Sequence, residues 1–111
     1  MPYTVEVFDK FRKEAKRLRK KYPSLDADLA ELVAELVENP TMGVLIAPNI
    51  YKVRMAISSK NKGKSGGARI ITYLQVIYET IYLMTIYDKS EQADMDIHEI
   101  NELLEDLPDE K

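Results

Sequence analysis

Seven cations fall between positions 51 and 89: Lys52, Arg54, Lys60, Lys62, Lys64, Arg69 and Lys89. They share the stretch with Tyr51, Tyr73, Tyr82 and Tyr87, and three of the chain's four glycines, Gly63, Gly66 and Gly67, sit in its middle. Concentrated positive charge around a glycine-rich turn is what holding a phosphate chain requires. Arginine stays charged and can grip a phosphate through two parallel hydrogen bonds. Lysine supplies a point charge, and crowding by other cations disfavours its charged form, which makes lysine a candidate base. Tyrosine can stack on a base splayed from a single strand. Metal-free RNA cleavage needs a base for the 2′-hydroxyl, cations for the developing phosphorane charge and an acid for the 5′-oxygen. These residue types suit that reaction, and they suit plain nucleic-acid binding as well.

Other chemistries are excluded by what the chain lacks. One histidine and no cysteine rule out the usual zinc constellations and any disulfide framework. No Walker loop, dinucleotide fingerprint or nucleophile elbow is present. The run Lys62-Gly63-Lys64-Ser65 lacks the leading glycine of a phosphate loop and precedes no helix. Neither a metal nor a cofactor is expected. His98 falls on an acidic helix face and reads as a solvated side chain.

The elements that must position these groups follow from periodicity. Residues 3–8 have the β-branched and aromatic content of a strand. Asp9 can cap a helix with an apolar stripe at Phe11, Ala15, Leu18 and Tyr22. Its other face carries eight cations, Lys10, Arg12, Lys13, Lys16, Arg17, Arg19, Lys20 and Lys21, either a solvated face matched to the helix dipole or a nucleic-acid footprint. Pro23 breaks the chain. A second helix starts at Ser24 or Asp26, carries Leu25, Leu29, Leu32, Val33 and Leu36, and ends at Asn39-Pro40. So short a connection predicts an antiparallel helix hairpin over one face of a sheet. Residues 41–49, with Gly43 and Pro48, read as a loop. Three strands follow, at 51–58, 70–77 and 81–87, and no proline interrupts the chain between Asn49 and Leu107. In the first of them Val53, Met55 and Ile57 alternate with Lys52 and Arg54, so one face is apolar and the other cationic. The stretch 88–95 is polar. Ile97, Ile100, Leu103, Leu104 and Leu107 then predict a final helix, stopped by Pro108.

A length of 111 residues fits one domain over 1–111. No apolar run reaches the roughly 18 residues of a spanning helix, and the first residues lack a secretion signal, so the expected location is cytoplasmic. The net charge of −3 conceals an asymmetry. Residues 1–70 carry 14 basic and 8 acidic groups; residues 71–111 carry 2 and 11. The acidic end either sits apart from the basic face or folds back to shield it.

The order strand, helix hairpin, three strands, with Tyr51-Lys52-Val53-Arg54 opening the second strand, resembles the RelE/ParE superfamily of type II toxin–antitoxin toxins. Its HigB-like, RelE-like branch is the nearest in Gly63-Lys64-Ser65-Gly66-Gly67-Ala68-Arg69 and Tyr87-Asp88-Lys89. The resemblance implies an α+β, RelE-like fold: an N-terminal strand, an antiparallel helix hairpin, a three-stranded antiparallel sheet and a C-terminal helix. It implies a toxin that cuts mRNA on the ribosome without a metal, inhibits translation, and is neutralised by a cognate antitoxin in a hetero-oligomer. Carried over, Lys52 becomes base or charge stabiliser, Arg54 and Arg69 hold the scissile phosphate, and Lys89 is a further phosphate ligand. Lys60, Lys62, Lys64, Tyr73 and Tyr87 complete the expected RNA-binding set. The branch's C-terminal tyrosine has no counterpart, since no aromatic residue lies beyond Tyr87, and the general acid is unassigned. The alternatives within the superfamily are a ParE-like, non-enzymatic inhibitor of DNA gyrase and an inactive nucleic-acid-binding relative.

Overall fold

The structure is a computed structural model and describes residues 3–61 and 63–107. Its centre is a five-stranded mixed sheet in the order β1-β5-β4-β3-β2. The strands are β1 (Thr4–Val7), β2 (Val44–Ala47), β3 (Ile50–Met55), β4 (Ala68–Gln75) and β5 (Thr80–Asp88). Between β1 and β2 run α1 (Asp9–Lys21) and α2 (Leu25–Glu38); α3 (Ile97–Leu103) follows β5. The α+β class, the helix hairpin and the antiparallel run β3-β4-β5 are as expected from sequence. Two features differ. Residues 44–47, expected as loop, form the edge strand β2, which pairs antiparallel with β3. The turn between them puts Asn49 at φ 62°, a conformation asparagine tolerates better than most residues. The first strand, β1, adds to the sheet beside β5, parallel to it, with Thr4 opposite Thr80 and Val7 opposite Leu83.

The strand period of two sorts side chains onto two faces. On one, Val53, Met55, Ala68, Ile70, Leu74, Ile81, Leu83 and Ile86 pack against Phe11, Ala15 and Leu18 of α1 and Leu25, Leu32 and Leu36 of α2. These are the stripes read from sequence. Leu18, Leu25 and Leu36 are fully enclosed, and each such side chain contributes about 2 kcal/mol of burial free energy. On the other face a smaller core joins Ile50, Ile71, Tyr82, Met84 and Tyr87 to Phe8 and to Ile100 and Leu103 of α3. A bulge in the β4–β5 register between Ile71 and Thr72 re-aims β5 at this point.

Helix ends deviate in detail. Phe8, not Asp9, stands at the cap of α1, and Asp9 pairs with Arg12 inside the first turn. The final helix is shorter than its apolar stripe: α3 stops at Leu103 and continues as a 3-10 turn, Leu104–Asp106. Pro108, its expected stop, lies outside the described residues. Asp96 caps α3 by accepting from the His98 N–H at 2.9 Å. Among the described residues no helix is long and apolar enough to cross a membrane.

Candidate functional site

Strand register brings the cations together on the face that α3 covers only in part. Arg54 lies opposite Arg69 across β3 and β4, and Arg69 lies opposite Tyr87 across β4 and β5. Directly opposed residues share a face, so the three form one row spanning roughly 10 Å over two inter-strand steps. Lys52 stands two residues before Arg54 on the same face, opposite Ile71. Lys89, just past β5, follows the alternation of Tyr87 onto this side.

The members of the row differ in how they are held. Arg54 is exposed, and among the described residues its guanidinium has no carboxylate within ion-pair distance. Arg69 is only 6% exposed. It donates to the carbonyl oxygens of Lys64 at 2.9 Å and Ala68 at 3.1 Å, and more distantly to that of Ser65. Arg69 therefore fastens the glycine-rich loop to the sheet, and its charge reaches the face from beneath that loop. Gly67 makes the close approach possible: a Cβ there would lie 2.1 Å from the Met55 carbonyl oxygen.

The polar stretch after β5 returns across this face. The Asp94 carboxylate accepts from Lys52 Nζ at 3.0 Å, from the Met95 N–H at 2.9 Å and from the Tyr87 hydroxyl at 3.3 Å. The Met95 N–H and Lys52 hold the Asp94 carboxyl below its ordinary value. Burial first, and the Asp94 charge second, push the Tyr87 phenol up to about 12. Tyr87 thus keeps its proton at neutral pH and remains a donor. Lys89 Nζ donates to the Ala93 carbonyl at 2.7 Å. Of the four cations that the resemblance casts as catalytic, two, Lys52 and Lys89, are held by this one short segment. Earlier in the same segment, Glu91 accepts from Arg17 at 2.7 Å and from Lys21 at 3.0 Å, which ties it to α1.

The remaining expected residues scatter. Lys60 lies on the helix-covered side: its side chain is 8% exposed and its amine is 2.8 Å from the fully buried Asp88. Asp88 also accepts from the Tyr22 hydroxyl, the Ser90 N–H at 2.9 Å and the Ser90 hydroxyl at 2.7 Å. Burial raises the Asp88 carboxyl, but Lys60, Tyr22 and Ser90 outweigh it and hold the group well below the carboxylate range. Lys64 is exposed and lines a cleft with Arg54, Glu31 and Glu35. Tyr73, four residues along β4 from Arg69, stands about 13 Å from the row and packs by Tyr82 with ring centroids 6.3 Å apart. Lys62 lies outside the described residues. Sequence reasoning missed Asp94. The acidic balance of residues 71–111 was its only signal.

No family model matches the chain. Solved structures share its fold. A double arginine-to-alanine mutant of the Escherichia coli toxin RelE in the free state superposes with a TM-score of 0.61 at 14% identity, covering 84% of this chain and 90% of that one. The same mutant toxin in complex with an antitoxin RelB peptide gives 0.60 at 15% identity over 97% of this chain and all of that one. The RelBE2 toxin–antitoxin complex of Mycobacterium tuberculosis gives 0.59 at 16% identity, covering 79% and 99%. The fold of this chain is RelE-like, as the sequence resemblance implied.

Proposed function

We propose that this RelE-like chain is the toxin of a type II toxin–antitoxin system, a metal-independent endoribonuclease that cuts translated mRNA and is neutralised by a cognate antitoxin. The observation that carries the reading is the row Arg54–Arg69–Tyr87, with Lys52 beside it, on one sheet face of a fold shared with RelE toxins. Structures of the same fold solved in complex with antitoxins support the antitoxin partner.

In this reading the 2′-hydroxyl oxygen attacks the adjacent phosphorus and the bond to the 5′-oxygen breaks. A cyclic phosphate and a free 5′-hydroxyl result. Arg54 grips the phosphate oxygens, and Arg69 adds positive charge from below the loop. Lys52 meets the charge that develops on the phosphorane or serves as the base for the 2′-hydroxyl. Tyr87, protonated at neutral pH, donates towards the departing 5′-oxygen and fills the role of general acid. Lys89 adds a further phosphate contact and the exposed Lys64 another; Tyr73 stands apart as an outlying stacking platform.

The test is induced expression of wild type and of Lys52→Ala/Arg54→Ala, with primer extension on a translated reporter mRNA. Lys52 and Arg54 are preferred to Arg69, whose loss would also release the loop. Growth arrest with new cuts inside the reading frame is expected for wild type. The double variant should lose at least about a hundredfold in cutting. Arrest without cuts would favour gyrase inhibition, read by a supercoiling assay. No arrest from folded protein would favour an inactive nucleic-acid-binding relative.

A further inference from the structure

Three acidic residues spaced by three follow one another out of β5, and each binds cations; Asp88 and Glu91 share Lys21 of α1, at 3.8 and 3.0 Å. Asp88 holds Lys60, Glu91 holds Arg17 and Lys21 of α1, and Asp94 holds Lys52 of β3. The first two fix the start of the segment. The third is unlike them, because its carboxylate lies over the open cationic face. One Asp94 oxygen takes Lys52 Nζ, the Tyr87 hydroxyl and the Met95 N–H together. An oxygen held by an ammonium, a phenol and an amide is held as a phosphate oxygen would be.

We propose that residues 92–96 form a displaceable strap, and that Asp94 occupies, in the free protein, the position of an incoming phosphate. The identification of that phosphate with RNA rests on the function proposed above; the self-occupied anion position does not. The pair is built to open. Asp94 is 67% exposed and Lys52 28% exposed in their side chains, so water can take over both charges as they separate. Near this point the strap is also held by the surface Lys89–Ala93 hydrogen bond and by Met95, half-buried against the smaller core. Displacement exchanges one anion for another on Lys52 and Tyr87 and leaves the Asp88 and Glu91 anchors in place. The strap hinges and stays attached. Its consequence is selectivity by charge: phosphate, more so in a chain that also engages Arg54 and Lys89, outcompetes Asp94, whereas a monovalent anion such as chloride competes poorly.

The experiment is a titration of the full chain with inorganic phosphate, followed in amide and tyrosine-ring NMR spectra. Wild type is compared with Asp94→Asn, Asp96→Asn and Asp94→Asn/Lys52→Ala. Asp96→Asn makes the same change in net charge two residues away and keeps a capping side chain. Asp94→Asn should bind phosphate roughly two- to fivefold more tightly than wild type, the range expected for removing an exposed ion pair. Asp96→Asn should match wild type, and adding Lys52→Ala should abolish the gain. In wild type the Met95 amide and the Tyr87 ring should shift together as phosphate enters. Equal affinity in wild type and Asp94→Asn would overturn the proposal, as would phosphate binding that leaves the Met95 amide unmoved, or no phosphate binding at all. Displacement by phosphate in a protein that cuts no mRNA would leave the strap standing and remove the ribonuclease reading alone.

Discussion

Asp88 and Asp94 stand at the two ends of one seven-residue segment and recruit nearly the same donors. Asp88 takes a lysine amine, a tyrosine hydroxyl and a backbone N–H from Lys60, Tyr22 and Ser90; Asp94 takes the same three kinds from Lys52, Tyr87 and Met95. Their surroundings are opposite. The Asp88–Lys60 pair is 0% and 8% exposed, the Asp94–Lys52 pair 67% and 28%. Removing one partner of a buried pair strands the other charge in a low dielectric. Removing one partner of an exposed pair hands the other to water. Asp88 adds the Ser90 hydroxyl and Lys21, but burial is the main difference between a structural clamp and a displaceable contact.

The largest effect that follows is on Asp88. Asp88→Asn leaves the Lys60 amine enclosed without its counter-charge and should cost about 3 kcal/mol of unfolding free energy, measured by urea denaturation. Asp94→Asn should cost less than about 1 kcal/mol in the same assay. Comparable losses at both positions would erase the distinction between the two regions.

What was legible in the sequence tracks local pattern. Alternation in β3 put Lys52 and Arg54 on one face before any register was known, and the helix stripes named the core residues of α1 and α2. Pairings between distant segments were not legible: nothing local to residues 3–8 says that β1 lies parallel beside β5. Strand β2 was hidden by its flanks, because Gly43 and Pro48 signal a loop although Val44, Leu45 and Ala47 between them pair with β3. Lys60 looked like its loop neighbours. Only the fold shows that a 3-10 turn at Ser58–Lys60 carries it to the helix side, where Asp28 receives the Ser58 N–H at 2.9 Å and hydroxyl at 2.6 Å. Asp94 sits in an aperiodic polar stretch, where composition could say that acid was available but not where it would land.

Acid should sharpen the comparison next. Hydrogen bonds hold Asp88 below the ordinary carboxyl value of 3.8, and Ser58 and Ser24 do the same for Asp28 against its burial. A depressed folded value means that, below about pH 4, the unfolded chain binds protons the folded chain refuses, so stability falls as pH falls. Above the ordinary carboxyl range that contribution is fully present. Unfolding free energy measured from pH 6 to pH 3 should therefore decline in wild type, and the decline should be shallower in Asp88→Asn, which lacks the group. Asp94→Asn should follow the wild-type slope more closely, although the Asp94 carboxyl is also depressed, because solvent screens its contacts.

The smallest expected quantity tests the exposed pair directly. A double-mutant cycle on Lys52→Ala and Asp94→Ala isolates their interaction from the separate effects of each truncation. The coupling should be about 0.5 kcal/mol in dilute buffer. It should shrink further at 1 M salt, where the screening length is about 3 Å. A strap that must yield to phosphate needs a coupling of this size: large enough to keep Asp94 over the site in the free protein, and small enough for several phosphate contacts to exceed. A coupling above about 2 kcal/mol that resists salt would make Asp94 a second clamp like Asp88. The cationic face would then be closed by its own chain, and the site would have to act through Arg54 and the loop, with Lys52 held out of reach.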